Sequence, residues 1–339
     1  MSKSPQVGIL GLIKLLEFIF LGFYVARNIS KLKLQNILLM FSIGIIFESF
    51  LAISQYINHG SLQGIFYFFG ERFFNSNTAG IANASLGGEL FLRPYGTFPH
   101  PNVLAGYLVI GMTLILGRIK NHESRITKTI FILTLAIGTA SLFLTLSRIA
   151  ILLWLIVVVF YFIRKFIIHN SLFIILFLVG ILFLGLTTPL GARFTGMRLT
   201  DESIVQREGL INNSIVMIKD HPFFGVGLNN FLVNLPLYQT PHSPLFYLQP
   251  VHNIFLLVLS ETGIVGFSFF IWFLIKTFSR IKNQESRIKG WPMIHNSLFI
   301  ILSSILILGM FDHYFLTLQQ GQLLFSFVLG LCWSEKPLK

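Results

Sequence analysis

Long apolar runs recur along the chain, separated by short basic clusters or by two long mixed segments. A membrane crossing needs about 20 mostly apolar residues, and windows of that kind fall at roughly 7–26, 34–57, 102–117, 129–146, 148–163, 171–187, 253–275, 295–311 and 316–333. About nine helices are therefore expected. The stretch 129–163 would reach roughly 52 Å as one helix at about 1.5 Å per residue, too long for a single crossing. It has to fold as a hairpin, and Thr145-Leu146-Ser147-Arg148 is its only polar break.

The basic clusters orient the spans. Sixteen Lys and Arg fall on one side, in the groups around Arg27, Arg118, Arg164, Arg280 and Lys336, and eight on the other. The richer side is expected to be cytoplasmic. The Arg148 hairpin and the two long loops, 58–101 and 188–252, then face outward, with the N-terminus outside and the C-terminus inside. This predicts an all-α, polytopic membrane bundle, one integral domain over 1–339, with a partly helical outer loop.

Composition agrees with this picture. Of 339 residues, 54% are hydrophobic and 11% charged, and the mean hydropathy is +0.76, far from a soluble domain. The net charge of +12 lies between spans rather than along one polar face, so it reads as topology and not as a nucleic-acid surface. The single cysteine, Cys332, excludes an intramolecular disulfide and a Cys-based metal site. The first apolar segment reads as an integral helix rather than a cleaved signal, with Lys14 and Glu17 spaced to pair inside it. That charged pair in an outward-starting first helix suggests a shortened form of a longer protein.

Arginines on the outward side are the first candidates for chemistry. In SIVQREGLINNSIVMIKDHPFFGVGLNNF, residues 203–231, Ile204, Ile211, Ile215 and Ile218 follow helical spacing, and Arg207 falls on the same face in the first turn. An arginine there suits an anion, and guanidinium matches phosphate with forked donors; the plainer reading is a salt bridge to Asp201, Glu202 or Glu208. Arg148, at the hairpin tip, is either an anion ligand or a residue snorkelling to headgroups. Arg93, in RPYGTFPHPNVLAGY, is an anion ligand or part of a turn leading into a helix capped by Asn102. Outer acids such as Glu261 and Asp312 form no DxD-type pair, so a metal-free mechanism with no cofactor is expected.

The dipeptide His-Asn occurs three times, at His169-Asn170, His252-Asn253 and His295-Asn296, but only His252 opens a helix from the outer side. In a continuous helix His252 would align with Gly263, with Gly266 about 40° away. That predicts a histidine above a glycine stripe on which a neighbouring helix packs. His252 has the chemistry of a base near neutral pH, and Asn253 that of an orienting group; a merely capping histidine above a packing stripe is the competing reading. His100, His221, His242 and His313 compete for the role of base.

Taken together, these residues resemble the superfamily of O-antigen ligases and polymerases, bacterial membrane glycosyltransferases of the C-type fold. The outer-loop signature, His-[Asn/Ser/Gln]-x9-Gly-x-x-[Gly/Thr/Tyr], is matched by His252, Asn253, Gly263 and Gly266. RPYGTFPHPNVLAGY, LTLSRIAIL, Arg207 with DHPFFGVGLNNF, and DHYFLTLQQGQ (312–322) resemble further family blocks, in order, while the N-terminal region has fewer helices than is usual there.

The resemblance implies transfer of a glycan from an undecaprenyl-diphosphate carrier to a hydroxyl of a glycan, lipid or protein acceptor at the outer face of the cytoplasmic membrane, as in lipopolysaccharide biosynthesis. Arg148 and Arg207 would bind the diphosphate, with Arg93 as an extension of that set, and His252 would act on the acceptor, supported by Asn253, Gly263 and Gly266. A polymerase of lipid-linked repeat units is the alternative within the family. A transporter of lipid-linked glycans is the alternative outside it, though its spans should carry midplane polar groups that are scarce here.

Overall fold

The computed structural model describes residues 3–86, 89–117, 124–166, 202–239, 248–287 and 292–334. The expected span 171–187, the pair His169-Asn170, and Arg193, Arg198, Asp201 and His242 lie outside the described residues. The described helices are α1 (Pro5–Asn28), α2 (Leu34–Asn58), α3 (Ile65–Phe68), α4 (Pro101–Leu116), α5 (Arg125–Leu144), α6 (Arg148–Phe166), α7 (Glu202–Asp220), α8 (Phe231–Asn234), α9 (Ile254–Arg287), α10 (Pro292–Gly309), α11 (Tyr314–Thr317) and α12 (Gln319–Cys332).

Among the described residues four stretches are long and apolar enough to cross a membrane, namely Pro5–Lys31, Leu34–Asn58, Arg125–Leu144 and Ile254–Asn283. Pro101–Leu116, Arg148–Tyr161 and Ser297–Gly309 are shorter apolar helices. The protein is thus a helical membrane protein. One departure from the all-α expectation is a small antiparallel hairpin in the first long loop, β1 (Asn83–Leu86) paired with β2 (Glu89–Leu92). A second is the expected span 316–333, which is split at Leu318 into α11 and α12.

Contacts divide the chain into two compact units, one formed by Met1–Leu32 with Arg198–Lys339 and the other by Lys33–Met197. In the second unit α2 packs against α4 and α5, with Gly111 and Gly138 admitting Ile45. The expected hairpin is present: α5 ends at Leu144, Leu146 takes a left-handed φ of 52°, and α6 starts at Arg148.

The loop before α4 is folded around buried polar side chains of α2. Gln55 is fully buried; its Nε2 donates to Glu71 Oε1 at 2.8 Å and to the Gly96 carbonyl at 3.0 Å, while its Oε1 accepts from the N–H groups of Tyr95 and Gly96. The Glu71 carboxylate in turn accepts from the N–H groups of Leu62 and Gln63. Such a network stabilises only when every member is satisfied. Gln55→Leu would strand the Tyr95 and Gly96 groups, each at a cost of about 1–3 kcal/mol. A drop of many degrees in the detergent melting temperature is expected; an unchanged melting curve would refute the assignment.

In the first unit α1 lies along α12, where a methyl added at Gly330 would collide with Val25, so the helices approach closely through small residues. Much of α1 is exposed and apolar, including Leu10, Ile13, Phe20 and Phe23, as suits lipid contact. Lys14 and Glu17 do pair, at 2.7 Å. A core of Leu210, Met217, Val226, Phe231, Leu235, Val251 and Leu257 gathers α7, the loop after it and the start of α9.

Candidate functional site

Three chain segments of the first unit meet at this core. Along α7 the buried positions are Leu210, Ser214 and Met217, and α7 packs on α9 through them. Ile211 and Ile215 are exposed. The buried stripe is therefore not the isoleucine stripe expected from spacing: Leu and Met fill the core, Ile204 and Ile218 are partly buried, and Ile211 and Ile215 face outward. Arg207, three residues before Leu210, points along the side that faces the core and is partly buried. Among the described residues Arg207 makes no ion pair with Glu208; Asp201 and the Glu202 side chain are not described.

His252 sits just before α9 rather than within it. Val251 is buried in the core, and Asn253 is the N-cap: its Oδ1 accepts from the N–H groups of Phe255 and Leu256 at 2.9 and 3.0 Å, as such caps do. Asn253 Nδ2 also donates to the Met310 carbonyl at 3.2 Å. Its side chain thus fixes the start of α9 against the end of α10. The orienting role expected of it toward a substrate or His252 gives way to these backbone bonds.

That tie brings the 310–317 segment beside His252. The His252 and His313 rings stand nearly perpendicular with centroids 5.0 Å apart. Asp312 is 9% exposed and its Oδ1 accepts from the His313 N–H at 2.8 Å. His313 Nδ1 lies 2.6 Å from Thr317 Oγ1. One donor atom from each of His252, Asp312 and His313 lies within 4.8 Å of the others. From sequence alone Asp312 is one outer acid among several and His313 one competing base among several. Sixty residues separate them from His252, so no local spacing reveals the cluster.

Burial is the main reason His252 is held down to a pKa of about 4; the nearby Asp312 carboxylate opposes this, while His313 and the Arg207 guanidinium add to it. His313 is lowered for the same leading reason, with Asp312 again opposing and Arg207 adding. Both imidazoles are therefore neutral near pH 7. Among the described residues His252 Nδ1 is buried with no hydrogen-bond partner, and a buried unpaired polar atom costs free energy unless some ligand meets it. A neutral histidine beside a carboxylate and a guanidinium can accept a proton from a hydroxyl while the guanidinium holds an anion.

The glycines below His252 do not form the expected stripe. Gly263 has φ 61° and ψ −170°, which breaks α9, so His252 and Gly263 do not share one continuous helix face. At the break, Ile264 N–H donates to the Pro222 carbonyl and Val265 N–H to the Phe223 carbonyl, while the Ser260 and Glu261 carbonyls accept from Val226 and Gly227. Two helical hydrogen bonds have been exchanged for four to the loop after α7. The Glu261 carboxylate also accepts from the N–H groups of Asn229 and Phe231. A Cβ on Gly263 would run into the Phe223 and Phe224 backbone, and one on Gly225 into Ser260 and Glu261. Gly263 thus packs on a loop, not on a neighbouring helix; Gly266 lies over Thr262.

In the second unit Arg93 is 9% exposed, and it donates from Nε to the Thr145 carbonyl and from a terminal nitrogen to Asn102 Oδ1, both at 2.7 Å. It fastens the loop before α4 to the α5–α6 hairpin. The expected Asn102 cap is replaced by His100, whose Nδ1 accepts from the Asn102 N–H at 3.1 Å, because Asn102 is engaged by Arg93. Arg148, partly buried, is the first residue of α6. His221 is exposed at the end of α7.

Membrane helices, a loop docked into a broken helix, and a polar cluster at that helix start are the features the first unit presents. Residues 132–271 match the family model described as O-antigen ligase. This segment, which holds Arg148, Arg207, His252, Gly263 and Gly266, carries a domain of the O-antigen ligase superfamily. No curated protein matches the chain.

Proposed function

We propose that the protein transfers a glycan from an undecaprenyl-diphosphate carrier to an acceptor hydroxyl outside the cytoplasmic membrane, as a metal-independent glycosyltransferase with about nine spans in a C-type fold. The observation that carries this reading is the meeting of Arg207 with His252, His313 and Asp312 in the first unit, inside or next to the segment that matches the O-antigen ligase model. Arg207 binds the diphosphate, and its charge stabilises that group as it leaves. His252, neutral at working pH, takes the acceptor proton as the acceptor oxygen attacks the anomeric carbon. Arg148 is a second diphosphate ligand by its place in the family's blocks. Arg93 acts by holding the Arg148 hairpin rather than by touching substrate.

The test is glycan transfer in proteoliposomes supplied with a synthetic undecaprenyl-diphosphate sugar and a lipid or glycan acceptor. His252→Ala is expected to lower the rate by about 10²–10⁴-fold, the usual share of a positioned acid or base; wild-type turnover in this variant would remove the mechanism. Product mass distinguishes single transfer from chain growth.

A pH profile measured with chelator present gives a second check. A histidine of pKa about 4 is unprotonated from pH 5 to 8, so its part in the rate should be level across that range and fall only as the pH drops through about 4. An ordinary histidine would lose activity near pH 6.5. A midpoint there would refute the buried, neutral base.

A further inference from the structure

We infer that His252, Asp312 and His313 form a site for a divalent transition ion of the Zn²⁺ type, and that its occupancy switches transfer off. The inhibitory half of this inference rests on the function proposed above; the binding half does not.

The donor set is two imidazoles and a carboxylate from two chain segments, with donor atoms within 4.8 Å of one another. Ligand atoms placed tetrahedrally around Zn²⁺ at about 2.1 Å lie about 3.4 Å apart, so donor pairs now up to 4.8 Å apart close by up to about 1.4 Å, a shift that side-chain rotation shared between two partners supplies. Imidazole and carboxylate are donor types that such an ion binds directly. Zn²⁺ and Co²⁺ favour nitrogen with one carboxylate, whereas Mg²⁺ and Ca²⁺ favour oxygen sets.

Two further observations point to a ligand here. His252 Nδ1 is buried and has no hydrogen-bond partner among the described residues. His313 Nδ1 is engaged by Thr317 Oγ1 at 2.6 Å, which leaves Nε2 as the nitrogen His313 has to give and fixes its ring, the arrangement that outer partners provide at metal sites. The carboxylate is held in place through the His313 N–H. Arg207 opposes a cation, so binding is expected in the micromolar range rather than tighter. A phosphate oxygen or water completes the coordination.

The consequence for chemistry follows from one lone pair. An imidazole nitrogen bound to a metal cannot take a proton from an acceptor hydroxyl, so a filled site has no base. No bond is made or broken by the ion itself.

The experiment is titration of the purified full chain, in detergent and without a polyhistidine tag, with Co²⁺. One saturable equivalent with tetrahedral visible bands is expected, displaced by Zn²⁺, and lost in His313→Ala and in Asp312→Asn; Thr317→Val is expected to weaken it severalfold. Absence of a saturable band, or a band that survives both variants, overturns the site. In proteoliposomes micromolar Zn²⁺ is expected to abolish transfer, reversibly with EDTA. Undiminished transfer with Zn²⁺ bound, or loss of transfer with EDTA alone, overturns the inhibitory role. A chain that binds Co²⁺ as expected but transfers no glycan leaves the site standing and overturns the function instead.

Discussion

Gly263→Ala is expected to unfold the protein or lower its detergent melting temperature by well over ten degrees. At φ 61° and ψ −170° the backbone is in a region used almost only by glycine, where a side chain costs about 1–3 kcal/mol. The added Cβ also meets the backbone of Phe223 and Phe224, which cannot rotate away as a side chain would; such overpacking adds about 1–3 kcal/mol or more. The sum is a large share of a typical stability of about 5–15 kcal/mol. Gly209→Ala is the matched control. Gly209 lies inside α7 with open space where its Cβ would be, so alanine there is expected to stabilise by about 0.5–1 kcal/mol. Thermal unfolding of the two variants decides the matter, and equal melting temperatures would refute the break at Gly263 as an essential feature.

Arg207→Ala is expected to lower transfer by about 10²–10³-fold, the usual consequence of removing one donor aimed at developing charge. The loss should fall on kcat more than on KM, since the diphosphate gains charge as the glycan leaves. Arg207→Lys should recover only part, because ammonium lacks the forked donors. A structural salt bridge would behave otherwise: melting temperature would fall with activity, and neutralising Asp201 or Glu202 would reproduce the defect. Because the Arg207 charge helps depress His252, its removal should also move the acid limb of the pH profile upward.

Helices and hairpin were legible because their signals are local. An arginine in the middle of 35 largely apolar residues admits one explanation, and α5 and α6 meet there. The β1–β2 strands were not legible: Asn83-Ala84-Ser85-Leu86 has little β-branched or aromatic character, and the hairpin forms in a loop whose neighbours are fixed by Gln55 and Glu71. The glycine stripe failed for a different reason. Helical spacing assumes helical backbone, and a glycine followed by apolar residues reads alike whether its φ is −63° or +61°. The capping role of Asn253 was visible in principle, since Asn directly before an apolar run is a helix-start signal. The pairing of His252 with Asp312 and His313 was not, because the bond from Asn253 to the Met310 carbonyl spans 57 residues.

The loop after α7 and the break in α9 exchange main-chain hydrogen bonds in both directions, through residues 222–227 and 260–265. Main-chain bonds do not read side-chain identity, yet they count residues. The two stretches are therefore tied to a fixed length and register while much of their sequence is free to vary around Gly225, Glu261 and Gly263. An insertion within either would slide His252 relative to Arg207, whereas one in the segment that joins α8 to Val251 leaves both in place. In grafting or evolutionary exchange, 202–231 and 252–266 behave as one inherited cassette, and a chimera that takes only one of them forfeits the site.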